Sequence, residues 1–400
     1  MPITMTHRYF GGLSRNTFLL AATSLFSDVS SEMLVPILPI YLTQSFNVGG
    51  SIVGLIEGIA GATQNIVQGF SGSLSDKLQR RKPIALVGYL LAAMSKPLMG
   101  LAAGWHSVLA GRFLDRFGAG TRSAPRDALI AASVEAPNRG RAFGLEGVGD
   151  NAGAFLGPLL AVLLLSVYQL PIRLIFYFAV IPGLLAFLMV LCVHEPTVKV
   201  AAKSWVDVRL GRFPRGYWKY LLATALFGIG NSSNAFLILQ TKDIGASLTT
   251  TILIYAGFNL VAALISYPAG FWSDRFGRRT LLVIALAIFL ITYLGFALTR
   301  VVALIGVLFA FYGLYQGIFR SVGKALASDY VPKALHAGAI GWYNSTVGVF
   351  GLIASLVAGR LWDRVGHASV FLFGAVFAVV GAIAILALVP ARAKAPPGSL

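Results

Sequence analysis

Two acidic residues lie four positions apart in the first apolar run of the chain. Asp28 and Glu32 share one face of a predicted helix, and Ser24 and Ser31 extend that face. A carboxylate inside a bilayer costs roughly 2.5–3.5 kcal/mol on insertion scales, so both acids must face water or a partner. A desolvated carboxyl can take up and release a proton, which predicts proton coupling. The alternative is a permanent ion pair with an arginine of the fourth apolar run, a structural role that suits Glu32 better than Asp28.

The densest polar stripe lies in the fourth apolar run. Its charged residues recur at near-helical spacing and therefore follow one face of a predicted helix. They are Arg112, Asp115, Arg116, Arg122 and Arg126. We assign the first three to proton coupling and expect Arg116, near mid-membrane, to pair with Asp28 or Glu32. Glu57 in the second run is a further candidate for carrying a proton.

The end of this stripe predicts a gate at the cytoplasmic mouth. Arg122 and Arg126 are expected to form an ion-pair network with Asp127, Glu146 and Asp150. The alternative is that the two arginines bind substrate.

The fifth apolar run carries glycines at a spacing of four, Gly149, Gly153 and Gly157, and the last precedes Pro158. Glycines at this spacing let two helix backbones approach closely. The simplest interpretation is a packing face followed by a proline bend.

The second half of the chain offers polar and aromatic residues where the first half offers acids. No acidic residue lies in the middle of its apolar runs, so we predict that the first half carries protons and the second helps to select substrate. The predicted substrate cavity is lined by Asn231, Asn234, Gln316, Arg320, Tyr343 and Asn344. Ordinary packing is the alternative for each of these side chains.

Apolar runs of about 20 residues recur along the whole chain, and each is long enough to span a bilayer. The 400 residues are 57% hydrophobic and 12% charged, with a mean hydropathy of +0.77, which excludes a soluble domain. We predict twelve spans: 17–42, 51–74, 83–103, 107–131, 142–167, 173–193, 217–240, 249–272, 280–299, 301–329, 338–359 and 369–390. The net charge of +17 comes from basic residues in short loops, mainly those after even-numbered spans. This distribution argues against nucleic-acid binding and places both termini in the cytoplasm.

One polar loop motif occurs twice, at a constant offset of 198 residues (from 76 to 274 and from 81 to 279). A repeat at half the chain length indicates two similar halves. The predicted gate takes Gly72, Asp76, Arg80 and Arg81 from the first copy and Gly270, Asp274, Arg275, Arg278 and Arg279 from the second, with Lys324 nearby. Arg122 and Arg320 also repeat at this offset.

With these loops the chain resembles transporters of the major facilitator superfamily, whose loop motif G-x-x-x-D-R/K-x-G-R-R/K recurs in this way. The resemblance implies an all-α integral membrane protein with twelve helices in two pseudo-symmetric six-helix bundles. The corresponding ranges are 1–193 for the first bundle, 194–216 for a cytoplasmic linker, 217–390 for the second bundle and 391–400 for a disordered tail. The linker is expected to carry an amphipathic surface helix.

The resemblance also suggests roles for particular residues. Arg112 matches the arginine of a fourth-helix motif linked to proton transport, and Gly153 to Pro158 matches a fifth-helix motif associated with antiporting exporters. Asp76 and Asp274 are expected to accept hydrogen bonds from the N-termini of spans eleven and five, which would hold the outward-facing state.

These patterns predict a transporter and not an enzyme. No nucleotide-binding loop, catalytic constellation or metal spacing stands out, so we expect no cofactor and a proton gradient as energy source. The leading hypothesis is proton-coupled export of small organic or amphipathic compounds by a monomer in a bacterial inner membrane. The alternative is a proton-linked importer or exchanger of a small organic anion, favoured by Arg116, Arg122, Arg320 and Lys324.

Overall fold

The structure is a computed structural model that describes residues 8–9, 12–78, 80–135, 138–195, 211, 213–332 and 335–390, with only the backbone described for 8–9 and 72–78. Within these ranges the chain is almost entirely helical. The α-helices are α1 Arg15–Glu32, α2 Leu38–Phe46, α3 Gly50–Leu78, α4 Arg81–Gly100, α5 Trp105–Ala132, α6 Arg139–Val162, α7 Ile172–Phe178, α8 Val180–Leu191, α9 Arg215–Gly228, α10 Ala235–Asp243, α11 Leu248–Phe276, α12 Arg278–Leu298, α13 Val302–Asp329, α14 His336–Arg364 and α15 His367–Leu388. A π-helical turn, Leu163–Val167, extends α6, and strands β1 Arg8–Tyr9 and β2 Leu13–Ser14 form an antiparallel ribbon.

Eight helical segments in the described ranges are long and apolar enough to cross a membrane. They are α4, α6 with its π-turn, α7 with α8, and α11 to α15. The remaining predicted spans coincide with α1–α2, α3, α5 and α9–α10. The spans at α1–α2 and α9–α10 are interrupted, and α3 and α5 carry polar side chains. Average hydropathy therefore identifies these four spans less clearly.

Two predicted spans are broken helices. In span one, helix α1 ends at Glu32 and α2 begins at Leu38. Pro36 lies in between, and it interrupts the helix because proline has no backbone N–H to donate to a helical hydrogen bond. Span seven, which the sequence predicted as one continuous helix, is interrupted from 229 to 234. The correction has a local cause. Glycine, serine and asparagine dominate this stretch, and the Ser233 hydroxyl accepts a hydrogen bond from the backbone N–H of Ala235 (3.2 Å).

The first compact unit comprises Met1–Val35 and Phe70–Trp205. In it α1 packs on α6 and α8, and α4 packs on α5 and α8. The core at one end of these helices is built around the buried residues Leu20, Tyr89 and Leu129. This packing places the charged stripe of α5 beside α1, α4 and α6.

The second compact unit comprises Pro36–Gly69 and Val206–Leu400, so most of α3 groups with the later helices. The reason is a close antiparallel contact between α3 and α14. A Cβ built at Gly359 would lie 2.6 Å from the Gly50 carbonyl oxygen. At the same end Asp363 accepts hydrogen bonds from the backbone N–H groups of Gly50 (2.7 Å) and Ser51 (2.8 Å), which caps the N-terminus of α3. The predicted range of the first bundle, 1–193, includes this helix.

Three predicted features lie outside the described residues. The expected amphipathic helix of the linker, at Trp205 and 210–213, lies mostly in this group, and so does the tail at 391–400. The side chains of Gly72 to Gln79, including Asp76, are likewise outside the described part of the chain.

Candidate functional site

The glycines of α6 bring its backbone against α1. A Cβ added at any of three glycines would meet a main-chain carbonyl oxygen of α1 at less than normal contact distance. These contacts join Gly149 to Ala21, Gly153 to Leu25 (2.5 Å) and Gly157 to Val29 (2.8 Å). The glycine stripe therefore packs on α1 beside the face that carries Asp28 and Glu32, because Gly153 and Gly157 also lie near the Cβ atoms of those two acids.

This packing places two carboxyl groups close to each other. The side chains of Asp28, on α1, and Asp150, on α6, lie within hydrogen-bonding range. An ionised carboxylate only accepts hydrogen bonds, so the two can bond each other only when one of them carries a proton. Arg122 and Glu32 lie within electrostatic range of Asp28. The first unit thus brings two partly exposed carboxyl groups close together beside Arg122.

Arg126 links the neighbouring acids on the same side of the unit. Its Nη1 lies 2.9 Å from Glu146 Oε1 and 3.9 Å from Asp150 Oδ1, and its Nη2 lies 3.0 Å from Asp127 Oδ1. Ser24 Oγ donates to Glu146 Oε1 (2.8 Å) and accepts from Arg126 Nη1 (3.1 Å). The predicted network of these three acids therefore centres on Arg126.

Arg122 makes different contacts from Arg126, although the two were predicted to act together. Its Nη1 donates to Ser27 Oγ, and its guanidinium lies 4.5 Å from the centre of the Tyr89 ring. The physical reason is helical pitch: Arg122 lies one turn before Arg126 on α5, and Ser27 lies about one turn after Ser24 on α1. The sequence analysis did not predict a role for Ser27 or Tyr89. The helical spacing of Ser24, Ser27 and Ser31 could have identified Ser27.

A small polar cavity adjoins Arg122. About 10 Å³ is open to the centre of a water-sized sphere, which is room for about one water molecule. Its polar lining comes from Ser27, Ser30, Ser31, Tyr89, Lys96 and Arg122.

Asp115 lies at the centre of a second charged cluster. The residue is buried and is surrounded by Lys96, Arg112 Nη1 (3.2 Å) and Arg116 Nε (3.1 Å). Lys96 is also buried, so its ammonium group does not reach the membrane surface. Asp115 was not considered as a partner for Arg116, for which Asp28 and Glu32 were expected. Lys96 lies within the third apolar run, and a lysine there needs a nearby acid, which was the available signal for this cluster.

In the second unit the amide residues of span seven contact tyrosines of α13. Asn234 Oδ1 accepts from the Tyr312 hydroxyl (2.8 Å), and the side chain of Asn231 hydrogen-bonds Tyr315. Both tyrosines are buried. These bonds satisfy buried hydroxyl groups where span seven is broken.

Tyr343 and Asn344 are also buried, with 3% and 4% of their surfaces exposed. Tyr343 stacks on Tyr220 at a ring-centre distance of 5.9 Å. This geometry favours the packing alternative for Tyr343. Glu57 is half-buried on α3, in the second unit.

The polar residues of α13 have a different environment. Gln316 and Lys324 are half-buried, whereas Arg320 is exposed. Among the described residues Arg320 forms no ion pair or hydrogen bond, which sets it apart from Arg122 and Arg126.

The second copy of the loop motif forms its own ion pairs. Arg278 Nη2 lies 3.5 Å from Asp274 Oδ1, and Arg278 Nε pairs with Asp329. Arg275 lies over the Phe276 ring, Arg279 donates to the Leu386 carbonyl, and no atom lies within 4 Å of a Cβ built at Gly270. The Asp274 side chain is 72% exposed. Its predicted bond to span five stays a prediction.

The described end of the first copy lies at the start of α4. Glu195 Oε1 accepts from the backbone N–H groups of Arg81 (2.6 Å) and Lys82 (3.1 Å), and Arg80 is exposed. In the described residues no three His, Cys, Asp or Glu side chains cluster as a metal site would require.

Comparisons with known proteins agree with this fold. The model of the Major Facilitator Superfamily matches residues 20–239 and 220–400. An uncharacterised MFS-type transporter of Methanocaldococcus jannaschii is 34% identical over 94% of this chain and 95% of its own length. The quinolone resistance protein NorA of Staphylococcus aureus is 22% identical over 88% of this chain and 91% of its own.

Among solved structures, the nucleoside transporter NupG superimposes with a TM-score of 0.76 and 16% identity, covering 94% of this chain and 99% of that one. At this identity the likeness concerns the fold alone. These proteins are membrane transporters, not enzymes. With a family match over nearly the whole chain and the loop motif repeated in both halves, this multi-pass membrane protein belongs to the Major Facilitator Superfamily.

Proposed function

We propose that this protein exports small organic compounds in exchange for protons, and that Asp28 and Asp150 form the proton site. The observation that carries the proposal is the closeness of these two carboxyl groups, which can hydrogen-bond each other only with one proton bound. Carboxyl groups within a membrane are energetically costly, so their presence there points to a function.

The surroundings of the pair suit reversible protonation. With one proton bound, Asp28 and Asp150 share it and carry one negative charge between them. Release of that proton to water leaves two carboxylates that repel each other. Arg122 lies within electrostatic range of Asp28, and Arg126 lies 3.9 Å from Asp150, so each carboxylate has a nearby cation. Proton loss therefore changes the balance of forces between α1, α5 and α6.

This change links protonation to conformation. The glycine contacts hold α1 and α6 close, so repulsion between the carboxylates acts directly on the packing of these helices. A ligand shifts a conformational equilibrium by the difference between its binding free energies for the two conformations. Here the ligand is the proton.

The direction of transport is supported by two observations. The Staphylococcus aureus relative is a quinolone resistance protein by name, and removal of a compound from the cell is a direct route to resistance. The Gly153 to Pro158 segment matches the fifth-helix pattern of antiporting exporters and lies on the helix that carries Asp150. We further propose a monomer in the bacterial inner membrane with both termini in the cytoplasm.

The test is proton movement in proteoliposomes that contain a pH-sensitive dye. A panel of lipophilic cations, neutral amphiphiles and organic anions is added to wild type, Asp28→Asn, Asp150→Asn and Asp243→Asn. The last variant is the control, because Asp243 lies in the second unit and pairs with His367 (2.8 Å). We expect substrate-dependent proton flux in wild type and Asp243→Asn, and its loss in both site variants.

Asparagine keeps the shape of aspartate and can hydrogen-bond its partner without a proton. Uncoupled substrate movement in the site variants, with no proton flux, therefore identifies the pair as the proton site. Undiminished proton flux in Asp28→Asn and Asp150→Asn would reject the proposal.

A further inference from the structure

Arg320 lies on the polar side of α13. The exposed apolar side chains of this helix include Leu304, Val307 and Phe311. Arg320 follows Phe311 by nine residues, which is about two and a half helical turns and places it on the opposite face. Gln316 is one turn away on the same face as Arg320. The exposure of Arg320 is therefore not exposure to lipid, which a mid-helix arginine would tolerate poorly.

The internal repeat explains why Arg320 has no bonded partner among the described residues. Its counterpart at the offset of 198 residues is Arg122, which bonds Ser27 and packs on Tyr89. The residues at the same offset from these two partners are Ala225 and Ala287. The second half thus has an arginine at this position, and the residues at the same offset from Ser27 and Tyr89 carry only methyl side chains.

The acids near this position are also missing from the second half. Arg126 corresponds to Lys324, so a cation is kept there as well. The three acids that surround Arg126 correspond to uncharged residues. They are Asp127, Glu146 and Asp150 in the first half and Ala325, Asn344 and Gly348 in the second.

Four acids of the later helices are engaged elsewhere. Asp243 pairs with His367, Asp274 and Asp329 with Arg278, and Asp363 with the N-terminus of α3. None of the described acids forms an ion pair with Arg320.

We propose that Arg320 binds an anionic group of the transported compound, such as a carboxylate, sulfonate or phosphate. A guanidinium presents parallel N–H groups that match the two oxygens of such a group. Gln316, one turn away, offers an amide N–H as a second donor. This inference rests on the proposed function, since it names the chemical class of compound that the exporter carries.

The test measures binding to the full chain purified in a non-ionic detergent, so that proton coupling is not involved. The probes are 1-naphthoate, 1-naphthalenesulfonate and the neutral 1-naphthamide, and their affinities are read from thermal stabilisation. The variants are Arg320→Gln, Arg320→Lys and the control Arg360→Gln, which removes an exposed arginine near the end of α14.

We expect the two anions, but not the amide, to stabilise wild type and Arg360→Gln. Loss of a charge-assisted hydrogen bond predicts binding at least about tenfold weaker in Arg320→Gln. Arg320→Lys is expected to be intermediate, because it keeps the charge and loses the paired donors. Retained binding of the anions in Arg320→Gln, or equal binding of anion and amide to wild type, would overturn the proposal.

A lipid headgroup is the other source of the same chemistry. Added phosphatidylglycerol that binds at Arg320, with no binding of either naphthalene anion, would overturn the assignment to a transported compound. Absence of anion binding altogether would overturn it too. Proton flux in the dye assay is a separate result. Its absence alongside Arg320-dependent binding would reject the proton coupling and retain the anion site.

Discussion

Replacing Gly153 by alanine tests whether close packing of α6 on α1 positions the proton site. The new Cβ would lie 2.5 Å from the Leu25 carbonyl oxygen and 2.8 Å from the Asp28 Cβ. Ordinary van der Waals contact begins at 3.4 Å, so the first distance must grow by about 0.9 Å. Backbone atoms cannot rotate away, and the helices must therefore separate locally.

This displacement is expected to separate the carboxyl groups of Asp28 and Asp150. Hydrogen bonds between oxygens are typically about 2.5–3.0 Å long, so an added 0.9 Å takes a bonded pair of oxygens out of that range. A misplacement of about 1 Å in a functional site can reduce a rate by about 100-fold. We expect proton-coupled transport by Gly153→Ala to fall to less than about a tenth of the wild-type rate. Overpacking also predicts a loss of stability of about 1–3 kcal/mol.

The matched control is Gly147→Ala. Gly147 lies on the same helix, and a Cβ built there has no atom within 4 Å. Both substitutions raise helix propensity by the same amount, so only Gly153→Ala adds a steric clash. The assays are pH-gradient-driven flux in proteoliposomes and thermal unfolding in detergent. Equal flux in the two variants would refute the claim that the glycine contact positions Asp28 and Asp150.

Further substitutions test other contacts. Asp115→Asn is expected to destabilise the protein by about 3–5 kcal/mol, because it leaves buried cations without their carboxylate, whereas Lys96→Met removes an excess cation and should cost less. Thermal unfolding of the two variants measures this order of stabilities, and the reverse order would contradict the ion-pair account. Asp363→Ala should lower stability by about 0.5–2 kcal/mol through loss of the α3 cap, while Asp363→Asn, which can still cap, should stay near wild type in the same assay. Tyr343→Phe should leave transport unchanged if the tyrosine packs, and a loss of transport with normal thermal stability would instead favour a role in substrate binding.

Patterns that repeat within one helix or loop could be read from the sequence. Apolar runs of membrane-spanning length follow from hydropathy alone, because a bilayer imposes a fixed thickness. The paired loop motif, for example at Asp76 and Asp274, identified two related halves and the family. The spacing of Gly149, Gly153 and Gly157 indicated a close helix contact, because glycine is the residue that permits one.

Which residues meet across helices was decided by the tertiary structure. Asp28 and Asp150 are separated by most of the first half of the chain, and no local pattern identifies one as the partner of the other. Their contact depends on the rotation of α6 about its axis, which the glycine packing sets. Likewise, helical pitch directs Arg122 to Ser27 and Tyr89 and leaves Arg126 to the acids.

The two halves show the same division between sequence and structure. The repeat at 198 residues could be read directly, and it places Arg122 and Arg320 at equivalent positions. Only the folded chain shows that the first is held by its neighbours and the second is exposed without a partner among the described residues. The physical reason is that a side chain's environment is set by residues distant in sequence, which the spacing of charges along one helix does not specify.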